Sequence, residues 1–213
     1  GHDSSISDKG DNRTHFFSYT SVNLLFDDFL RSNLEIQYQK ASNDTYLKLF
    51  NLFEAGSPLK PTHDKLLTSM VKLDLQADDY NFTTSFTQFE TLDGNNSDRY
   101  QYILPTYDFS TSFYLDNFDI GGFSFASSGA NNLKDTNVLE TTVNNNLKFT
   151  TYDNFFDGGI KNNFVVALKN LNSVGKNSST YKTSPQSELM SNYMYNASYT
   201  LIKDRDDTFN TLI

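Results

Sequence analysis

Val71-Lys72-Leu73-Asp74-Leu75-Gln76-Ala77, followed by Asp78-Asp79-Tyr80, is the stretch that decides how the chain reads. Apolar and polar residues alternate strictly up to an acidic pair, and a period of two is the mark of a strand with one face covered and one face wet. The same period recurs in Leu34, Ile36 and Tyr38 against Glu35, Gln37 and Gln39. It returns at Leu139, Thr141, Val143, Asn145, Leu147 and Phe149; at Ile160, Phe164, Val166 and Leu168; and at Leu189, Tyr193, Tyr195, Ala197, Tyr199 and Leu201. Fainter strands are predicted over Phe16 to Phe26, Asn81 to Thr91, Arg99 to Leu115 and Gly121 to Ser128, about nine strands in all. Pro105 cannot donate to a ladder, so it predicts a bulge or an edge.

The acidic pair with an aromatic also recurs. Asp27-Asp28-Phe29, Asp78-Asp79-Tyr80, Asp116-Asn117-Phe118 and Asp153-Asn154-Phe155 each separate two strand candidates. Asp and Asn favour turns because their side chains bond nearby backbone. If all four turns lie at one end of the sheet, their aromatics share a level, as in the interfacial girdle of a membrane barrel. The other connections are longer and polar: Ser42 to Asp64, Asp93 to Asp98, Gly129 to Asn137 and Asn172 to Ser187. Within the first, apolar spacing over Asn43 to Phe53 predicts a short amphipathic helix capped by Asn43 or Asp44. The expected fold is therefore all-β: an antiparallel meander of amphipathic hairpins, part of an outer-membrane-type β-barrel, over residues 13–203. Residues 1–12 and 204–213 are expected as tails, with Gly1-His2 resembling the remnant of a cleaved tag and no signal peptide at the start.

Composition narrows the class. The 213 residues carry 19 Phe and 13 Tyr but neither Cys nor Trp, which favours strands and leaves no disulfide or thiolate site. No run of roughly 18 apolar residues is present, so a helical span is excluded. A formal charge of −9 with 17 scattered basic residues argues against nucleic acid. A soluble β-sandwich that binds carbohydrate or mediates adhesion shows the same alternation and remains the alternative. In the barrel, the polar face would line a wet interior, with Asn144 and Asn162 expected on it.

Candidate chemistry is thin. His15 and His63 have no partner at metal-ligand spacing and are expected at the surface. Gly122-Phe123-Ser124-Phe125-Ala126 is only loosely like a nucleophile elbow, lacking the last Gly and the following helix. Asp93-Gly94-Asn95-Asn96-Ser97-Asp98 offers oxygens but not the regular calcium-loop spacing. Asp27, Asp28, Asp78, Asp79 and Asp153 read as turn residues rather than a glycosidase pair, because neighbours in a strand point to opposite faces. No catalytic, cofactor or metal residue is assigned, and an enzyme is not expected.

Several segments, in order, resemble a known family. Ala41-Ser42-Asn43-Asp44-Thr45-Tyr46-Leu47 after an amphipathic strand is similar to the Ser-Asp-Asp-Thr-Tyr-Leu segment of the lipopolysaccharide-assembly proteins LptD, also called organic solvent tolerance proteins (OstA). Leu66-Leu67-Thr68-Ser69, Tyr100-Gln101-Tyr102-Ile103-Leu104-Pro105-Thr106-Tyr107 with its Leu-Pro-x-Tyr core, and Asp157-Gly158-Gly159 before Leu168-Lys169-Asn170 resemble later family segments. The resemblance implies the middle of a large C-terminal barrel in the bacterial outer membrane, with lipopolysaccharide as cargo and an LptE-like plug lipoprotein as partner. The prolines of the family's first barrel strands are absent, so no gate residue is carried over.

Overall fold

The computed structural model describes residues 2–3, 13–93, 99–114, 120–134, 137–156, 159–199, 201–205 and 208–212. The strands are β1 (His2–Asp3), β2 (Arg13–Asn23), β3 (Arg31–Ala41), β4 (Leu66–Gln76), β5 (Tyr80–Thr91), β6 (Tyr100–Tyr114), β7 (Gly121–Lys134), β8 (Val138–Thr151), β9 (Asn154–Phe156), β10 (Ile160–Lys176) and β11 (Gln186–Tyr199). They form one eleven-stranded antiparallel sheet in sequence order, a meander, with the short β9 pairing β10 off the main path. A separate two-stranded ribbon joins β12 (Leu201–Arg205) to β13 (Thr208–Leu212). Among the described residues the sheet is open, with no ladder between β11 and β2. Direction alternates at every step along the sheet, and its two edges are the two-residue β1, paired with the start of β2, and β11.

Alternation makes the strands and turn chemistry ends them. Ala77 N–H donates to the Tyr80 carbonyl at 2.8 Å, closing β4 and β5 tightly around Asp78 and Asp79. Phe29 N–H donates to Phe26 across Asp27 and Asp28 at 3.2 Å. The predicted bulge lies at Leu104 and Pro105, where the register slips between Ile103 and Thr106 against β7 and between Ser85 and Thr87 against β5.

Four expectations need correction. The Gly129 to Asn137 loop does not exist as such, because β7 runs on to Lys134; Ser, Gly and Asn read as a loop, but a central strand paired on both sides tolerates poor strand formers. Gly129 is required there for a second reason: it faces Tyr107 across the ladder, and any side chain at this position would collide with the tyrosine ring. The Asn172 to Ser187 loop shrinks to residues 177–185 for the same reason. With 24–30 spanning the turn end, and the hairpin between β7 and β8 tight at the loop end, the division into short and long rims is weaker than predicted. The helix α1 covers only Tyr46–Phe50; Asn43 Oδ1 accepts from Thr45 N at 2.9 Å as a local turn, and Asn51 in the left-handed region (φ 51°) ends it. No helix among the described residues is long and apolar enough to cross a membrane.

Candidate functional site

Register assigns every side chain of the sheet to one of two faces. Following Ile36↔Val71↔Phe86 and Leu34↔Leu73↔Thr84 outward from β3 gives an apolar face. It continues through Phe82↔Phe109, Thr111↔Phe125↔Leu147↔Leu168 and Phe123↔Phe149↔Val166↔Tyr193. The opposite face carries Glu35↔Lys72↔Ser85↔Thr106, Asp74↔Thr83↔Asp108↔Ser128↔Asn144 and Asn146↔Lys169.

In a protein folded by apolar burial the first face would be covered. Over β3 to β5 it is the more open one. In β3 the apolar Ile36 and Tyr38 are 42% and 47% exposed, while the polar Asn33 and Gln39 on the other side are 4% and 3% exposed. Phe86 is likewise half-exposed and Thr87 beside it is buried. In β3 and β5 the polar face is thus the more buried side, whereas in β6 and β8 the order is reversed, with Asp108, Ser110, Asn146 and Lys148 exposed and Phe109, Leu147 and Phe149 half-buried. The polar face is tied by its own hydrogen bonds: Ser21 to Asn33 at 3.0 Å, Asn33 to Glu35 at 3.0 Å, Thr83 to Asp74 at 2.7 Å. Among the described residues the buried apolar side chains are Ala41, Tyr46, Leu47, Leu67 and Leu92, all near the loop end. Among the described residues no second layer covers Ile36, Val71 or Phe86.

At the turn end that face is lined by aromatic rings in contact across strands. Phe26, Phe29, Tyr80, Phe109 and Phe125 follow one another at centroid spacings of 6.1–6.2 Å. A second row joins Phe113, Phe123 and Phe149 at 5.3 and 4.6 Å. Phe29 and Tyr80 thus share a level as predicted, whereas Phe155 stands 71% exposed on β9 and Phe118 lies outside the described residues. Phe109 and Phe125 were missed as girdle members because only strand register places them beside Tyr80.

At the loop end, residues 42–65 fold back over the polar side of β2 and β3. Leu47, with no exposed surface, packs with Ala41, Leu67 and Leu92, and Phe17 and Leu52 close over them. His15, expected at the surface, is half-buried against Tyr46, with ring centroids 5.4 Å apart; burial lies behind the correction, since the loop lands on it. His63 is exposed. The loop is anchored by charge: Arg99 meets Asp44 at 2.9 Å and Glu90 at 2.8 Å, and Lys40 reaches the same Glu90 at 2.8 Å. The hydrogen bonds to Asp44 and Glu90 hold Arg99 more firmly cationic than usual. Glu90 has only 3% of its side chain exposed, so three donors, Lys40, Arg99 and Tyr100, compensate the burial of one carboxylate.

Of the remaining candidates, Ser124 sits within β7 opposite Ser112 and Lys148, on a strand rather than at a strand-to-helix turn. Of the proposed calcium loop, Asp93 pairs with Lys65 at 2.5 Å and residues 94–98 lie outside the described set. Asn144 takes the polar face as expected. Asn162 does not: it has the parity of Phe164 and Val166, and β9 covers it, with its Nδ2 donating to the Asn154 carbonyl at 2.8 Å. Sequence reading also missed a polar line on the apolar face. Tyr107 and Ser127 are 3.2 Å apart, Ser127 donates to Asn145 at 2.8 Å, Asn145 to Asn170 at 3.2 Å and Asn170 to Ser187 at 3.0 Å.

The chain matches no model of a known protein family and no curated protein.

Proposed function

We propose that this chain is a stretch of wall from a bacterial outer-membrane β-barrel, non-catalytic, of the kind that carries lipopolysaccharide to the outer leaflet. The inverted facing carries the reading. A sheet whose apolar residues are exposed while polar residues on the other side are buried, as over β3 to β5, is stable where lipid replaces water on the apolar side and water wets the polar side. The aromatic rows at the turn end suit the level of lipid headgroups. Among the described residues the sheet does not close on itself, which suits a stretch of wall.

The cargo rests on the resemblance to the LptD family, and the fold gives its two most distinctive segments a shared place. Asp44 of the first bonds Arg99, immediately before the second, and Tyr100 donates to Glu90 at 3.3 Å. Both segments therefore serve one joint that seats the 42–65 loop. On this reading the polar face accepts the saccharide part of the cargo and an LptE-like plug. The soluble sandwich needs a second layer over Ile36, Val71 and Phe86, and the exposure of these residues gives it no support.

Spin labels test the facing. With the chain reconstituted in bilayers, labels at Ile36 and Val71 are expected to be relaxed by oxygen, which partitions into lipid, and labels at Gln37 and Lys72 by an aqueous nickel chelate. Aqueous access at all four positions would remove the membrane reading. Photo-crosslinking from Asn144 tests the cargo: lipopolysaccharide adducts support it, and correct insertion without adducts reduces the assignment to a barrel of another purpose.

A further inference from the structure

On the polar face of β6, β7 and β8, two adjoining rungs of the ladder carry polar side chains that are left unspent. Ser112↔Ser124↔Lys148 form one rung and Tyr114↔Gly122↔Thr150 the next, nearer the turn end. Elsewhere on this face polar groups are used on one another: Lys72 on Asp74 at 2.8 Å, Ser85 on Thr106 at 2.6 Å, Lys161 on Asp153 at 2.8 Å. Ser112, Tyr114, Ser124, Lys148 and Thr150 make no side-chain hydrogen bond or ion pair among the described residues. Ser112, Tyr114 and Lys148 are exposed, so the two rungs are open to a ligand.

These side chains line a groove of about 340 Å³. Gly122 shapes it: a Cβ there would stand 2.9 Å from Cε1 of Tyr114, so only glycine lets the tyrosine ring rest against the ladder. The ring is still 63% exposed and offers an aromatic surface beside the hydroxyls. Charge in the groove has one sign. On the polar face of β7, β8 and β10 the acidic group among the described residues is Glu140, eight residues along β8 from Lys148 and already paired with Lys134 at 3.2 Å. Lys148 is therefore an uncompensated cation in a chain of formal charge −9. A cation, three hydroxyls and an open aromatic ring match a hydroxyl-rich ring that carries an anion: the anion meets Lys148, the hydroxyls meet Ser112, Ser124 and Thr150, and the ring lies on Tyr114. Small-molecule clefts start at roughly 300 Å³, so this groove takes one such ring and is roomier than an inorganic phosphate requires. An acyl chain does not match, because it would cover the lysine and the hydroxyls without partners.

We infer that this groove is a subsite for a phosphorylated sugar on the wet side of the wall. The inference rests on the reading that the polar face meets water and accepts saccharide. The position agrees with it: Phe113, Phe123 and Phe149, on the other face of the same three strands, form the aromatic row assigned to headgroup level, and each is the chain neighbour of Ser112, Ser124 or Lys148. The groove thus lies directly behind that row, at the end of the polar face where a sugar phosphate arrives from water.

The test places the chain in phosphatidylcholine nanodiscs and measures its affinity for glucose 1-phosphate, glucose and inorganic phosphate by ligand-observed NMR. Glucose 1-phosphate is expected to bind several-fold more tightly than either of the others. Lys148→Gln should bring it down to the level of glucose, and Tyr114→Leu down to the level of inorganic phosphate. Lys169→Gln, at an exposed cation one rung away on the same face and outside the groove, should leave it unchanged. Inorganic phosphate binding as tightly as glucose 1-phosphate would make the groove a general anion site, and equal losses in the two lysine variants would reduce it to a diffuse field. Either result overturns the subsite, as does the absence of binding. Spin labels at Ile36 and Val71 in the same discs keep the two readings apart. Oxygen access there without bound sugar phosphate removes the subsite alone, whereas aqueous access there removes the wall reading on which it rests.

Discussion

The sectors β2–β5 and β6–β11 share one sheet and one alternation, yet their apolar faces differ. In the first, Leu34, Ile36 and Tyr38 on β3 and Leu75, Leu73 and Val71 on β4 keep the face apolar through its middle, and polar groups on it, Lys40, Gln88 and Glu90, gather at the loop end. In the second, the aromatic rows give way within two face positions to Ser127, Asn145 and Asn170. Support differs as well. The first sector is clamped at its loop end by a small apolar cluster under α1 and by the Glu90 charge joint. The second is held almost wholly by its ladders and by side-chain amides bonding across strands. A sheet can thus keep a single hydrophobic period while polar side chains interrupt its apolar face at the loop end in one sector and at mid-strand in the other.

The largest effect should come from breaking the smooth wall. Val71→Arg puts a charge at mid-height on the apolar face and is expected to cost about 2–4 kcal/mol of stability in bilayers, while Met70→Arg on the polar face costs little. Equilibrium unfolding from vesicles compares the two, and equal costs would erase the distinction between faces. Next comes the clamp. Leu47→Ala empties the centre of the cluster and should cost about 2–4 kcal/mol, with residues 52–60 becoming sensitive to protease. Glu90→Ala leaves Lys40 and Arg99 without their shared carboxylate. Both cations are partly exposed, so the loss should be about 2 kcal/mol rather than the full value for a buried pair.

In the second sector, Asn145→Leu removes two hydrogen bonds but suits lipid, so a net change of about 1 kcal/mol or less is expected; a larger loss would show that the line is structural. The smallest effect is at the turn end. Asp153 accepts from Lys161 and Asn163, each at 2.8 Å, which holds its carboxyl below the ordinary carboxylate range. A depressed carboxyl stabilises above its unfolded value of about 3.9 and loses that contribution as pH falls through its folded value. Amide-exchange protection near Asp153, taken relative to the unstructured rate at each pH, should therefore fall below about pH 4 and stay level above it, and Asp153→Asn should remove the dependence.

Much of this was legible along the chain. Val71 to Gln76 announced a two-faced strand, Asp78-Asp79 its turn and Pro105 its bulge, because each depends on a residue and its immediate neighbours. Gly129 to Lys134 was read as loop, since the partners that hold it in a strand, Tyr107 and Val143, are distant in sequence. The Glu90 joint was likewise hidden: Lys40, Asp44, Glu90 and Arg99 show no spacing that a local pattern could reveal. Asn162 was put on the wrong face although its parity with Ile160 and Phe164 was visible, an instance where polarity was allowed to outweigh period.

The sequence by itself determined that the chain is antiparallel and amphipathic, because a period of two and turn-forming Asp and Asn act over a few residues. Only the tertiary structure decided which face is open. Alternation is the same whether the apolar side packs on a second layer or meets lipid, and the two cases part only in the exposure of Ile36, Tyr38 and Phe86 beside the buried Asn33, Gln39 and Thr87. Register across strands did the rest, since it alone brings Phe109 beside Tyr80 and Asn145 beside Asn170.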